Sequence, residues 1–169
     1  MESETNLDVG DIIIDPSSVV MNLEASSDQE ALDILANRLL EQGYVKETYV
    51  QAVKDREKVF STGLAFESMG IALPHTDSVH VNHQSIAIGV LKKPVSFKEM
   101  GTENDYVNVE LMFMLAIKKS EAQIDFLGKL LDMFQDQEKL ENIKKAQSPE
   151  EVANLFKQYL KMQEEAQNS

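Results

Sequence analysis

The segment VNVELMFMLAI, residues 107–117, decides the fold class of this chain of 169 residues. Every residue from Leu111 to Ile117 is apolar. A strand with one face in water would alternate apolar and polar residues, so this strand is expected at the centre of a sheet with both faces covered. We therefore predict an α/β fold in which helices cover the sheet.

Three shorter apolar segments that precede this strand predict further strands. They are DIIID, VVMNLEA and SIAIGVL, at residues 11–15, 19–25 and 85–91. The segment KKPVSF, which follows the last of them, contains Pro94. Because proline cannot donate a hydrogen bond to a strand ladder, we expect KKPVSF to form a turn and an edge segment.

Capping signals and apolar stripes predict the helices. Ser27 precedes Glu30 by three residues, as in a capping box. Ser148 is followed by Pro149, a residue favoured in the first turn of a helix. Helices are predicted over residues 28–42, 46–60, 121–134 and about 137–146, and from residue 149 onwards. The stripe of the third is expected to contain Ile124, Leu127, Leu130, Leu131 and Phe134.

No repeat, low-complexity segment or linker divides the chain into parts. A single domain over residues 1–169 is expected, because this length suits one core of ordinary size. We expect that core to run from about residue 9 to residue 162, with residues 1–8 and 163–169 frayed.

The composition excludes several classes of function. The formal net charge is −13, with 16 basic against 29 acidic residues. Nucleic acids and anionic membranes are therefore not expected as partners, whereas a basic protein would be attracted. The absence of cysteine excludes disulfides and thiolate chemistry. No apolar run is long enough to span a bilayer and the start, MESETNLDVGD, is acidic, so we expect a cytoplasmic protein without direct membrane insertion.

The three histidines, His75, His80 and His83, lie within nine residues of one another. A metal site is one interpretation, with Asp77 nearby, but the spacing matches no known zinc pattern. We expect no metal, and we interpret His80 and His83 as solvated loop residues.

His75 differs because it follows the apolar run Ile71-Ala72-Leu73 and Pro74. The proline restricts the backbone, so the next side chain is held at the rim of the sheet, where α/β proteins place their sites. From this pattern alone, a functional imidazole and one that caps the following turn are equally favoured.

The nucleophiles available to this chain are few. It contains no GxxxxGK[ST], GxGxxG, GxSxG or HExxH motif, so histidine, lysine and the carboxylates remain. A histidine that accepts a phosphoryl group needs donors for the phosphoryl oxygens. The segment REKVFSTG offers Arg56, the Thr62 hydroxyl and the N–H groups around Gly63. An alternative for Arg56 is pairing with the carbonyls at the end of its helix.

From about Ser27 to Leu160, the sequence resembles the fructose/mannitol-type enzyme IIA domain of the bacterial sugar phosphotransferase system. The segments that carry the resemblance are REKVFSTGLAFESMGIALPHTDSVHV, IAIGVLKKPVSF and VELMFMLAIKKSEAQIDFLGKL. The resemblance implies a single α/β domain with a mixed central sheet between helices. It also implies a phosphotransferase: the basic carrier HPr donates a phosphoryl group to a histidine, which passes it to a IIB component. Exchange of one N–P bond for another needs no metal or other cofactor.

The same resemblance assigns roles to residues of this sequence. His75 corresponds to the phosphorylated histidine, reacting through Nε2, and Arg56 to the phosphate-binding arginine. Thr62 and Gly63 correspond to the loop beside it. Glu67 is matched to an acidic residue that the family places before the histidine.

One departure concerns specificity. The mannitol-type pattern has a second active-site histidine at the start of the helix after the long strand, where this sequence has Gln123. An amide there can donate to a phosphoryl oxygen but cannot shuttle a proton. Glutamine at this position and the wording GIALPHTDSVHV resemble the galactitol-specific branch. We therefore expect galactitol or a related polyol as the transported sugar.

Three hypotheses follow for the function. The first is a transport phosphocarrier between phospho-HPr and a IIB component, associated with the membrane permease IIC through IIB. The second is a regulatory module of the same fold that acts through phosphorylation-dependent protein binding. The third is a hydrolase or metalloenzyme built on the histidine cluster.

Overall fold

The long apolar strand lies at the centre of a five-stranded sheet in the computed structural model, which describes residues 11–118 and 120–168. For residues 120–123, 167 and 168 only the backbone is described. The strands, in chain order, are β1 (Val19–Leu23), β2 (Gly63–Ala65), β3 (Gly70–Ala72), β4 (Ser85–Lys98) and β5 (Tyr106–Ala116).

The sheet is mixed, with the strand order β1-β4-β5-β3-β2. β5 pairs antiparallel with β4 and parallel with β3, while β1 pairs parallel with β4 and β2 antiparallel with β3. The central position of β5 explains its composition, because a strand that is covered on both faces needs apolar side chains on both.

Among the described residues, five α-helices cover the two faces. They are α1 (Asp28–Glu41), α2 (Thr48–Val59), α3 (Ser120–Phe134), α4 (Gln137–Lys145) and α5 (Pro149–Asn168). One core cluster joins α1 and α2 to one face of the sheet, and another joins α3, α4 and α5 to the opposite face. The predicted α/β class, with a mixed sheet flanked by helices on both sides, is confirmed.

Two strand predictions were wrong. DIIID forms no strand, because only Ile13 makes a ladder contact, a single bridge to Ser85. KKPVSF forms no turn; it continues β4, whose register with β5 shifts between Val90 and Val95. A bulge leaves residues outside the regular ladder, so Pro94 is accommodated there without the hydrogen bond that it cannot donate. The chain reverses further on, at residues 99–105, where Gly101 has a φ of +79°.

The predicted helices are present, with one correction. Ile124 is 73% exposed, and the inward face of α3 instead carries Phe126, Leu130, Met133 and Phe134. Phe134 and Phe156 both pack against Phe113 on β5, which fixes the rotation of these helices on the sheet. At the C-terminus α5 continues to Asn168, while the last residue of the buried core is Leu160.

Candidate active site

The main chain around His75 is fixed by hydrogen bonds to the central strand. Leu115 N–H on β5 donates to the carbonyl of Pro74 at 2.9 Å, and His75 forms a bridge with Leu115. The parallel pairing of β3 with β5 therefore extends beyond Ala72 as far as His75. Pro74 is buried and His75 is partly buried, so the imidazole stands at the rim of the sheet as the sequence predicts.

The His75 ring is oriented by its own local backbone. Its Nδ1 lies 2.8 Å from the carbonyl oxygen of Leu73. A carbonyl oxygen can only accept a hydrogen bond, so Nδ1 carries the proton and donates. In the neutral ring the other nitrogen, Nε2, then holds an unshared electron pair. That atom has the electronic character of a nucleophile.

The surroundings of His75 favour this neutral form. Burial lowers the pKa of His75 below its ordinary value of 6.5, and the nearby positive charge of Arg56 lowers it further. The hydrogen bond to Leu73 and the negative charge of Asp77 oppose that shift, but the lowering prevails. At neutral pH the ring is therefore predominantly uncharged and Nε2 is unprotonated.

Arg56 and His75 line the same surface cavity, which has a volume of about 800 Å³. Arg56 lies in the last turn of α2, and its guanidinium sits 4.9 Å from the ring centroid of Phe60. Its buried Nε has no hydrogen-bond partner, and no ion pair joins it to any residue that the structure describes. A guanidinium with donors to spare beside an unprotonated imidazole can bind the oxygens of an incoming phosphoryl group.

Thr62 lines the cavity with Arg56 and His75, as the sequence predicts, but its hydrogen bonds point into the protein. It is 3% exposed, its N–H donates to Glu57 Oε2 at 2.7 Å, and its O–H donates to Glu57 Oε1 at 2.8 Å. The hydroxyl oxygen also accepts from Leu73 N–H at 3.2 Å. Both donors of Thr62 are therefore used inside the protein, and neither is free for a phosphoryl oxygen in this geometry.

Gly63 is explained by a close approach of two backbones. A Cβ atom at this position would lie 2.7 Å from the carbonyl oxygen of Lys98, where a side chain cannot fit. The Gly63 carbonyl accepts from Met100 N–H at 2.8 Å, so this contact holds the end of β4 against β2. Gly63 is not among the residues that line the cavity.

The structure does not bring Glu67 to His75. Glu67 is exposed in the turn between β2 and β3, which Phe66 N–H closes onto the carbonyl of Met69. His75 follows the other end of β3, so the whole strand separates the two residues. The side chain of Gln123 lies outside the part of the chain that the structure describes, and its predicted role stays a prediction.

The other histidines stay apart from the cavity. Nδ1 of His80 lies 2.7 Å from the Thr48 hydroxyl, and His83 is exposed. Within residues 11–118 and 120–168, no group of three or more His, Cys, Asp or Glu side chains is arranged to hold a metal ion.

Further residues beside Arg56, Thr62 and His75 complete the cavity. Lys58 and Lys98 add positive charge to it, and Val59 and Phe60, which are 72% and 60% exposed, give it an apolar rim. The sequence prediction missed Glu57, whose carboxylate accepts both hydrogen bonds that Thr62 donates. A signal for it existed: Glu57 continues the spacing of four residues that Tyr49 and Val53 set on the buried face of α2.

The sequence profile of one known family, described as "Phosphoenolpyruvate-dependent sugar phosphotransferase system, EIIA 2", matches residues 12–159. The chain belongs to this EIIA family. The resemblance that its sequence carries is confirmed, and as an EIIA component it is a phosphotransferase and phosphocarrier of the sugar phosphotransferase system.

Individual relatives of this EIIA component have known specificities. A mannitol-specific phosphotransferase enzyme IIA component of Staphylococcus aureus is 31% identical over 142 residues, which is 83% of this chain and 92% of that protein. A galactitol-specific EIIA component of Escherichia coli is 30% identical over 114 residues, 68% of this chain and 75% of that protein.

The fold is shared with a solved structure of an EIIA protein in a complex. That complex consists of enzyme IIAMTL and phosphorylated enzyme IIBMTL from Escherichia coli. The match has a TM-score of 0.69 at 24% identity and covers 85% of this chain and 97% of that one. In the part of the chain that the structure describes, none of the helices has the length and apolar character that spanning a membrane requires.

Proposed function

We propose that Nε2 of His75 is the atom of this EIIA component that accepts the phosphoryl group. The Nε2–P bond forms as the bond between phosphorus and the donor imidazole of phospho-HPr breaks. In the second step the Nε2–P bond breaks as a new bond forms between phosphorus and a nucleophilic side chain of a IIB component, and the electron pair returns to Nε2. Because the bonds made and broken in the first step are alike, catalysis rests on positioning and on stabilising the charge of the phosphoryl oxygens.

The hydrogen bond between Nδ1 and the Leu73 carbonyl is the observation that carries this proposal. It directs the proton to Nδ1 and leaves the electron pair on Nε2, within a cavity that Arg56 also lines. The guanidinium neutralises charge on the equatorial oxygens as phosphorus passes between the two nitrogens. Lys58 and Lys98 add to the positive charge of the cavity.

The character of the surface supports two protein partners. A net charge of −13 attracts a basic donor such as HPr, because opposite charges raise association rates. The exposed apolar side chains of Val59 and Phe60 at the cavity rim suit close docking. Leu64, Phe66 and Met69, other apolar residues near His75 in sequence, pack against the core instead. The complex of enzyme IIAMTL with phosphorylated enzyme IIBMTL supports a IIB acceptor.

The transported sugar is proposed to be galactitol or a related polyol. Gln123 supports galactitol, as does the match to a galactitol-specific EIIA component. The mannitol-specific relative matches over a longer part of the chain, so mannitol is the polyol to test beside it. In this proposal the protein works in the cytoplasm and reaches the membrane permease IIC through IIB.

Phosphorylation in a reconstituted relay tests the role of His75. The protein is incubated with phosphoenolpyruvate, enzyme I and HPr, and the bound phosphate is measured by mass spectrometry. We expect one acid-labile, base-stable phosphate on the wild type, none on His75→Ala, and wild-type labelling of the matched controls His80→Ala and His83→Ala. Labelling that persists in His75→Ala would overturn the assignment.

Transfer to purified IIB proteins tests the second half of the proposal. The phosphorylated protein is mixed with galactitol-specific and mannitol-specific IIB proteins, and loss of label from His75 is followed in time. We expect rapid transfer to a polyol-specific IIB. Failure with every IIB, together with tight binding of a regulator that depends on phosphorylation, would support the regulatory module instead.

A further inference from the structure

Glu57 is a buried carboxyl group whose main interactions are with one residue. It is 4% exposed and forms no ion pair with any residue that the structure describes. Burial raises the pKa of Glu57 to about 7, although the two hydrogen bonds from Thr62 oppose the shift. Burying a carboxyl group with so little charge compensation is unfavourable, so its presence calls for a reason.

A chain of hydrogen bonds connects Glu57 to the reactive histidine. The Thr62 O–H donates to Glu57, which turns the electron pairs of the hydroxyl oxygen towards Leu73. The Leu73 N–H then donates to that oxygen at 3.2 Å. The Leu73 carbonyl, on the same residue, accepts from His75 Nδ1 at 2.8 Å. The Glu57 carboxylate thus orients the Thr62 hydroxyl, the hydroxyl orients the main chain of Leu73, and the Leu73 carbonyl orients the imidazole.

Glu57 also closes the loop that forms one wall of the cavity. The bond from Thr62 N–H to Glu57 Oε2 spans five residues, from the end of α2 to the start of β2. The residues between, Lys58–Ser61, all line the cavity. Arg56 precedes Glu57 directly in the same helical turn. One carboxylate thus holds both the backbone beside His75 and the loop next to Arg56.

We infer that Glu57 is a positioning residue for phosphoryl transfer, which orients the His75 imidazole through the Thr62 hydroxyl and the main chain of Leu73. The inference rests on the proposed role of His75 as phosphoryl acceptor. Glu57 touches neither the phosphoryl group nor the partner protein. Substituting Glu57 should therefore lower the rate of phosphoryl transfer and leave the affinity for the partner protein largely unchanged.

Two substitutions interrupt the chain at different points. Glu57→Gln replaces one acceptor oxygen with an N–H donor, which faces a donor of Thr62. Thr62→Val keeps the size of the side chain and its N–H bond to Glu57 but removes the hydroxyl. Thr62→Ser retains the hydroxyl and is the conservative rescue. Tyr44→Phe, which removes a 2.7 Å hydrogen bond to the Asp15 carboxylate away from the cavity, is the matched control.

The variants are first compared in the rate of phosphorylation by phospho-HPr. We expect Glu57→Gln and Thr62→Val to lower kcat by about 10- to 100-fold, with KM for phospho-HPr within about twofold of the wild type. Thr62→Ser and Tyr44→Phe should remain within about threefold of the wild type. Wild-type kcat in both Glu57→Gln and Thr62→Val would overturn the inference, and Thr62→Val decides alone if Glu57→Gln does not fold.

The ¹⁵N NMR spectrum of the His75 ring provides a readout that does not depend on phosphorylation. In the wild type at pH 7.5 we expect a protonated Nδ1 and an unprotonated Nε2. In Thr62→Val and Glu57→Gln the Nε2–H tautomer should appear, while Tyr44→Phe keeps the wild-type spectrum. If the wild type has the proton on Nδ1 but takes up no phosphate, the proposed function fails. The spectra of the variants then still test the positioning role of Glu57. Unchanged ring tautomers in both variants would overturn the positioning role.

Discussion

Two histidines in the same segment of this protein have opposite surroundings. His75 and His80 are five residues apart, and Nδ1 of each is close to an oxygen, at 2.8 Å and 2.7 Å respectively. The oxygen at His75 belongs to a carbonyl, which only accepts and so fixes the tautomer. The oxygen at His80 is the hydroxyl of Thr48, which can donate or accept and leaves both tautomers open. The tautomer of each ring is therefore decided by the kind of oxygen beside Nδ1, and not by the distance between them.

A threonine supports each histidine, and the two threonines also differ. Thr48 contacts the His80 ring directly at an exposed position. Thr62 is buried and acts on His75 through the main chain, with Glu57 behind it. The cavity that His75 lines also contains Arg56, whose buried Nε has no hydrogen-bond partner.

The largest effect is expected from Arg56→Ala. Removing the guanidinium leaves the phosphoryl oxygens without their planar donor, and the loss of one such group commonly lowers kcat by about 10²- to 10³-fold. Rates of phosphorylation by phospho-HPr measure it, and circular dichroism confirms that the variant folds. Arg38→Ala, which removes a half-buried arginine that donates to the carbonyl of Ser17, is the matched control and should keep the wild-type rate. Equal rates for the two variants would contradict a phosphate-binding role for Arg56.

The second prediction concerns the buried support of His75 and the pH dependence of stability. The pKa of Glu57 rises from 4.5 in the unfolded chain to about 7 in the native protein, chiefly through burial. Between these values the native state binds a proton that the unfolded state has lost, so stability falls as pH rises and is constant above about pH 7. At about 1.4 kcal/mol per pKa unit, the change is roughly 3 kcal/mol.

Urea unfolding of the wild type and Glu57→Gln, at several values from pH 4 to pH 8, measures this change. Glutamine does not titrate, so the difference between the two proteins isolates Glu57 from every other group. We expect the wild type to lose stability relative to the variant as pH rises through this range. Parallel curves for the two proteins would show that the carboxyl group of Glu57 is not buried as the structure has it.

The third prediction is that His75 titrates below the ordinary histidine pKa of 6.5, mainly because it is buried. Between the lowered pKa and 6.5 the unfolded state binds the proton and the native state does not. The contribution of His75 to stability therefore rises with pH through this window and is complete above 6.5. Following the ring resonances of His75 by NMR measures the midpoint. A midpoint above 6.5 would contradict the lowering of the pKa of His75 by burial.

The sequence predicted much of this arrangement because strong local signals carry it. The unbroken apolar run of β5 required a central strand, and Pro74 placed His75 at its rim. Arg56 was also identified from sequence, and it lines the cavity with His75. These predictions depend on residue type and on short-range backbone restriction, which can be read without knowing the tertiary contacts.

The predictions that failed depended on contacts between distant segments. The direction of the Thr62 hydroxyl is set by Glu57, whose burial follows from how α2 packs on the sheet. The rotation of α3 follows from the packing of Phe134 against Phe113, and the stripe that included Ile124 fitted the helical period almost equally well. Pro94 fits inside β4 because the ladder shifts register there. The rotation of α3 and the register shift of β4 have no signature in the local sequence, whereas the burial of Glu57 follows the spacing that Tyr49 and Val53 set on α2.

The smallest effect is expected from Thr48→Val, and it sharpens the comparison of the two threonines. Thr48 lies in the first turn of α2 and makes its side-chain contact with His80 at the surface. Removing one exposed hydrogen bond should change the free energy of unfolding by less than about 1 kcal/mol. Phosphorylation of His75 should keep the wild-type rate.

Thr62→Val makes the same chemical change at the threonine that supports His75. The two variants therefore differ in which histidine loses its support. Measured side by side, they separate the loss of a threonine hydroxyl from the loss of the connection to Glu57. A slow Thr48→Val would mean that the loop from His75 to His80 acts as one unit. The contrast between a tautomer held by a carbonyl and one left open by a hydroxyl would then not explain why His75 is the reactive histidine.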